Sequence, residues 1–115
     1  MLVVDDDSAF RDLAARVLSA WGHVVVGEAG TMAEALERAE ELRPEAALVD
    51  VGLPDGDGFA LTRRLTQLPW PVRIVLISAD ADSAAVRCAR RVGARGFVAK
   101  DQLTSRTLRQ LLENG

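Results

Sequence analysis

The segment 46-AALVDV-51, followed at once by 52-GLPDGDG-58, decides how the rest of the chain is read. Its first half is an unbroken apolar run ending in an acid rather than an alternation of apolar and polar residues. Such runs belong to strands covered on both faces, as in a parallel sheet flanked by helices. Its second half is dense in turn residues and stands at the strand's carboxyl end. Outward from there the same unit recurs. The run 2-LVV-4 ends in Asp5, Asp6 and Asp7. Phe10, Leu13, Ala14, Val17 and Leu18 then follow at helical spacing between Ser8 and Ala20, with Asp7 or Ser8 as cap and Gly22 as stop. Next, 24-VVVG-27 reads as a short strand, and Thr31 with Glu34 forms a capping box for a helix that reaches Leu42 before Pro44. A helix from Phe59 to Leu68 precedes Pro69 and Pro71, and 72-VRIVLIS-78 is the strongest strand signal in the chain. A helix over Asp82 to Val92, a strand at 96-GFVA-99 and a helix from Thr104 to Glu113 complete the pattern.

Strand followed by helix, five times over, predicts an α/β protein: a flavodoxin-like doubly wound (βα)5 fold with a five-stranded parallel sheet in the order 2-1-3-4-5. The 115 residues suit one domain, with no internal repeat, low-complexity stretch or linker. A hydrophobic fraction of 49% and a charged fraction of 27% are those of a globular protein with a real core. The net charge of −3 argues against this domain binding nucleic acid by itself, because phosphate contacts need a basic surface. Cys88 has no second cysteine to pair with and reads as core packing in a reducing compartment. No apolar run approaches the ~20 residues that cross a bilayer, so no membrane association is expected.

In a doubly wound sheet, ligands bind at the carboxyl ends of the strands near the switch in strand order. Here the first strand ends in three acids, the third at Asp50, the fourth at Ser78 and the fifth at Lys100. Parallel pairing brings these ends to one rim, where carboxylates, a hydroxyl and an ammonium share a crevice. Carboxylates held together repel unless a cation binds or one is protonated. Oxygen ligands of this kind suit Mg²⁺, which binds one or two carboxylates and leaves positions for water and phosphate oxygens. A carboxylate can also attack phosphorus to give an aspartyl-phosphate, a transfer catalysed mostly by positioning and charge. Singly, each residue has an ordinary explanation: acids after a strand cap helices, and a serine or a loop acid such as Asp55 or Asp57 forms turns. Taken jointly, four such accidents at four converging strand ends are required.

Lys100 adds a compositional argument. The chain holds thirteen arginines and this one lysine. Lysine is a compact point charge where arginine is a broad planar fork, so a narrow site that takes one small cation explains why arginine is not used there.

The pieces 3-VVDDD-7, 49-VDVGLPDGDG-58, 75-VLISA-79 and 96-GFVAK-100 together resemble the receiver domain of bacterial two-component response regulators, over essentially the whole chain. The resemblance implies Asp50 as phosphoacceptor. It implies Mg²⁺ held by Asp6 directly, by Asp5 mainly through water, by Asp50 and by the Gly52 carbonyl. Ser78 takes the family's hydroxyl position, Lys100 its invariant lysine, and Phe97 its aromatic switch, with a plain core phenylalanine as the alternative. A sensor histidine kinase is the implied phosphoryl donor, in the cytoplasm, and a homodimer or an output domain the implied recipient of the signal. The implied protein is a phosphoacceptor that dephosphorylates itself, not a turnover enzyme on a separate substrate. Arg87, Arg90, Arg91, Arg106 and Arg109 lie on the side that would pair, as dimer salt bridges or as a solvated face. Asp101 replaces the proline that many receivers carry after the lysine, so the Lys100–Asp101 bond is expected trans, because a cis bond there costs about 3–4 kcal/mol. A Lys-Asp pair is frequent in receivers joined to LuxR-type helix-turn-helix domains, so DNA would be met only through an output domain outside residues 1–115. Gly52 leaves open a corner where relatives carry a side chain, with Asp80 at the same mouth.

Three rivals share parts of the pattern. Haloacid-dehalogenase-like phosphatases use an Asp nucleophile with Mg²⁺ but want an acid two residues on, where Gly52 stands. A flavodoxin-type cofactor binder needs a hydroxyl- and Gly-rich phosphate loop after the first strand, where three acids stand. A receiver-like interaction module independent of phosphorylation is the strongest rival, and such modules normally lack an acid, the acceptor or the lysine.

Overall fold

The computed structural model describes residues 1–79 and 82–113. Five strands, β1 (Leu2–Val4), β2 (Gly27–Ala29), β3 (Ala46–Asp50), β4 (Arg73–Ser78) and β5 (Gly96–Ala99), form one sheet in the order β2-β1-β3-β4-β5. Every neighbouring pair in it is parallel. Five helices alternate with them: α1 (Ser8–Ala20), α2 (Met32–Leu42), α3 (Gly58–Leu65), α4 (Ser83–Arg91) and α5 (Arg106–Glu113). No helix among the described residues is long and apolar enough to cross a membrane.

Strand alternation sorts the core into two layers. Leu2, Val4, Ala47, Val49, Ile74 and Leu76 face one side and pack with Ala35 and Ala39 of α2, Leu61 and Leu65 of α3 and Ala89 of α4. Val3, Leu48, Val75, Ile77 and Val98 face the other and pack with Ala14 and Leu18 of α1 and Leu108 and Leu112 of α5. Three helices therefore cover one face and two the other, which is why the strands carry apolar residues at successive positions. The caps expected from the sequence pattern are present at α1 and α2. Asp7 accepts from Ala9 and Phe10, and Thr31 accepts from the Glu34 N–H at 3.0 Å.

Several boundaries differ from the sequence expectation. The second strand is Gly27–Ala29 and not 24–27, because β1 begins at Leu2 and its register pairs Leu2 with Gly27. Val24 and Val26 are exposed, at 74% and 44%, in the segment leading to that edge strand. The loop after Asp50 contains a two-residue antiparallel ladder, Gly52–Leu53 against Gly56–Asp57. Helix α3 ends at Leu65 rather than Leu68, and α5 starts at Arg106 after a 3-10 turn over Lys100–Gln102. Cys88 is only partly buried; among the described side chains of α4 the buried one is its neighbour Ala89. The Lys100–Asp101 bond is trans, as expected.

Asp55, read from sequence as a solvated turn former, instead joins two segments. Its carboxylate accepts from the Met32 N–H at 2.7 Å and the Ala33 N–H at 3.0 Å, capping α2 from a loop 23 residues away. These two bonds hold its carboxyl below the ordinary value of 3.8. A lowered folded pKa means that Asp55 contributes fully above the ordinary value and loses that contribution as pH falls through the folded one. Asp55→Ala is therefore expected to lower Tm by a constant margin between pH 5 and 7, a margin that closes below pH 3.8. Thermal unfolding of both proteins across that range checks it.

Candidate functional site

The three catalytic-looking strand ends share one parity. Asp5 continues the face of Val3, Asp50 that of Leu48, and Lys100 that of Val98, all on the side of α1 and α5. Their side chains meet as that alternation demands. The Lys100 Nζ lies 2.7 Å from Asp5 Oδ2 and 3.4 Å from Asp50 Oδ2. Asp5 is fully buried and Asp50 is 6% exposed. Asp6, one residue further along, is exposed at the mouth.

The backbone around Asp5 is held from several sides. Its N–H donates to the Ala29 carbonyl at 3.0 Å, and the Asp5 carbonyl accepts from the Arg11 Nη1 at 2.5 Å. Its Oδ1 accepts from the Asp7 N–H at 2.8 Å. With Oδ2 paired to Lys100, both oxygens of Asp5 have partners within the protein. Asp50 is set by the loop that follows it. The Val51 N–H donates to the Ile77 carbonyl at 3.0 Å, and the Gly58 N–H to the Val51 carbonyl at 2.8 Å. Asp57 then caps α3, accepting from the Ala60 N–H at 2.7 Å.

Carboxylate oxygens of Asp5, Asp6 and Asp50 lie within 4.8 Å of one another, a cluster able to hold a metal ion. The donor set is all oxygen and part of it is solvent-facing, which fits a hard divalent cation that keeps its own waters. Burial, and then the nearby Asp5 charge, push the Asp50 carboxyl above its ordinary value, against the pull of Lys100 and the Gly52 N–H. Three carboxylates face one ammonium here, so the site carries an excess of negative charge that a cation would relieve. Burial works to lower the Lys100 pKa, but its bonds and charge pairing with Asp5 and Asp50 outweigh burial and leave it raised. Lys100 is accordingly an ammonium at neutral pH.

The remaining site residues of the sequence reading lie around this centre. Gly52 is exposed on the short ladder, and a Cβ there would meet nothing within 4 Å, so that corner is open. Ser78 ends β4 opposite Ala99. By alternation it belongs with Leu76, on the face covered by α2, α3 and α4. Phe97 shares that face and stacks on Phe59 of α3, with ring centroids 6.4 Å apart. Asp80 lies outside the described residues. Arg87, Arg90, Arg91 and Arg106 are exposed. Arg109 is engaged within the chain, paired with Glu113 at 2.9 Å and set over the Trp21 ring at 5.8 Å. Sequence reasoning passed over Phe10 and Arg11, both of which touch the site. The signal available for them was position alone, one helical turn after the Asp7 cap.

Comparison with known proteins identifies the family and the fold. The response regulator receiver domain family matches residues 1–113. The transcriptional regulatory protein NarL of Mycobacterium tuberculosis is 37% identical over 114 residues, which are 98% of this chain and 53% of NarL. The chain thus spans about half the length of that curated regulator. The solved signal receiver domain of the response regulator NarL from M. tuberculosis superposes with a TM-score of 0.84 at 35% identity, covering 97% of this chain and 94% of that one. A response regulator protein from Burkholderia pseudomallei, solved with a phosphorylated aspartic acid, calcium ion and citrate, superposes with a TM-score of 0.85 at 31% identity, covering 98% and 66%. With the parallel sheet, the acid cluster and the lysine already in place, these matches show that the chain belongs to the response regulator receiver domain family.

Proposed function

We propose that this receiver takes a phosphoryl group from a sensor histidine kinase onto Asp50 and passes the signal on through its surface. The observation that carries the reading is the Lys100 ammonium bridging Asp5 and Asp50 at 2.7 and 3.4 Å beside a cluster of three carboxylates. An Asp50 oxygen forms the new O–P bond as the P–N bond to the kinase histidine breaks, and the imidazole leaves neutral after taking a proton. Asp6, Asp50 and the Gly52 carbonyl would hold Mg²⁺, with Asp5 acting through water, and the ion would supply positive charge at the phosphoryl oxygens. Lys100 neutralises a second phosphoryl oxygen, and Asp5 keeps the ammonium at the site until it arrives. The Ser78 hydroxyl donates to a third. Drawing that hydroxyl inward opens room for Phe97, on the same face of the sheet, to repack. The surface of α4, β5 and α5 then shifts between two populations. Attack by water on the acyl phosphate resets Asp50, so the protein is a self-limiting phosphoacceptor and not an enzyme turning over a separate substrate.

Downstream, the changed surface pairs with a second copy or with an output domain. NarL is named a transcriptional regulatory protein and is about twice the length of this chain. That supports a regulator that reaches DNA through a domain outside these residues.

Intact mass after incubation with acetyl phosphate and Mg²⁺ tests the reading. The expected result is one phosphoryl adduct that is lost when EDTA replaces Mg²⁺. No adduct, together with no binding of beryllofluoride, would overturn it in favour of a module that works without phosphorylation. A second expectation concerns the metal alone. Mg²⁺ at ten times its dissociation constant should stabilise the fold by about 1.4 kcal/mol, seen as a rise in Tm. Asp6→Asn should lose most of that rise, and an unchanged response in the variant would remove Asp6 from the ligand set.

A further inference from the structure

The ring of Phe10 lies against the Lys100 ammonium, 4.5 Å from Nζ to the ring centroid. Phe10 stands in the first turn of α1, partly buried and packed against the cluster formed by Val3, Leu18, Val98 and Leu103. Its N–H donates to Asp7 Oδ1 at 3.4 Å, and the Asp7 N–H donates to Asp5 Oδ1 at 2.8 Å. The turn that carries the ring is thus tied to the carboxylate that holds the lysine. Lys100 is bounded by two carboxylates and, in addition, by an aromatic face, with its side chain 25% exposed.

The two kinds of partner differ in what they ask of the ammonium. A carboxylate bond is directional and short, and it must be given up in part when the cation turns to another oxygen. A ring face attracts a cation through its quadrupole, at longer range and with a broad angular tolerance, and it cannot compete as a hydrogen-bond acceptor. An ammonium hydrated on that side would have to shed water as a phosphoryl group arrived. One resting on an apolar ring is already dry there, and a dry, pre-placed charge is more effective at a developing anion.

We propose that Phe10 is a positioning residue for phosphoryl transfer: its ring face holds the Lys100 ammonium and excludes water from it, while leaving it free to move from Asp5 to an incoming phosphoryl oxygen. The inference rests on the phosphoacceptor reading of Asp50. It assigns to the first turn of α1 a direct part in the site, beyond its place in the core.

The test replaces Phe10 in the full chain by phenylalanines carrying one, two or three ring fluorines, and separately by leucine. Fluorines keep the ring's shape while draining negative charge from its face, so they weaken the cation contact and leave packing nearly unchanged. The initial rate of phosphorylation by acetyl phosphate with Mg²⁺ is read by intact mass, and Tm is measured alongside. The expected rate falls stepwise with fluorine count, to about three- to tenfold below wild type, with Tm nearly constant across the fluorinated series. Phe10→Leu should be at least as slow as the trifluorinated protein. Fluorinated proteins that react at the wild-type rate would overturn the inference even if Phe10→Leu were slow, because only packing would then be at stake. A wild type that takes up no phosphoryl group at all would overturn the phosphoacceptor reading, and this inference with it.

Discussion

Asp50→Asn is expected to take up no phosphoryl group from acetyl phosphate under conditions that convert the wild type. The amide has no anionic oxygen to attack phosphorus, and its nitrogen cannot serve as a metal ligand in the same way. The same change should alter stability in the opposite sense. Burial and the neighbouring Asp5 charge raise the Asp50 carboxyl above its ordinary value of 3.8, so the folded protein binds a proton there more readily than the unfolded chain does. Stability from this group therefore falls as pH rises from 3.8 through the raised folded value. The asparagine variant lacks that penalty, and without Mg²⁺ at pH 7 its Tm should lie above that of the wild type. Each kcal/mol relieved corresponds to about 4–5 °C for a chain of this size. Adding Mg²⁺ should raise the wild type and leave the variant nearly unmoved, so the two curves converge or cross. An adduct on the variant, or a Tm below wild type in EDTA, would contradict this account of the site.

Gly58→Ala should be among the most destabilising single-methyl additions available in this chain. Gly58 begins α3 and packs its backbone directly against the end of β3, where its N–H donates to the Val51 carbonyl at 2.8 Å. A Cβ at this position would stand 2.5 Å from the Asp50 carbonyl oxygen and 2.9 Å from the Val51 Cα. Both neighbours are backbone, so no side-chain rotation relieves the clash. The helix start or the strand end must move, at about 2–3 kcal/mol, which is about 10 °C in Tm. Because the atom displaced belongs to Asp50 itself, phosphoryl uptake by the surviving folded protein should slow as well. Gly52→Ala is the natural control: a Cβ there meets nothing within 4 Å, and its effect on Tm should stay within about 0.5 kcal/mol. Equal Tm values for the two variants would show that the backbone contact at Gly58 does not constrain the fold.

The apolar runs and caps determined the order of elements, and with it the doubly wound sheet, because each of those signals lies within a single element. Val3, Leu48 and Val98 are buried on one face, and counting two residues onward reaches Asp5, Asp50 and Lys100. The convergence of these three side chains was thus legible once the strands were taken as parallel. The lone lysine among thirteen arginines pointed to the same place. Less was legible where a partner comes from elsewhere in the chain. The valines at 24–26 have strong strand character, yet the ladder starts at Gly27, since pairing register belongs to β1 as much as to β2. Asp55 looks like any turn acid until α2 is placed beside it, and its two bonds cross 23 and 22 residues. Arg109 reads as a free surface charge until α5 lies along the end of α1 and brings Trp21 beneath it. Phe10 reads as one more apolar residue of an amphipathic helix, and only the convergence of the first turn of α1 and the end of β5 at one rim of the sheet sets its ring against Lys100. Propensity and periodicity are properties of a few neighbouring residues, so the sequence by itself determined the elements and the chemistry at their ends. The distances between side chains on different elements depend on register and packing over the whole sheet, and those the tertiary structure decided.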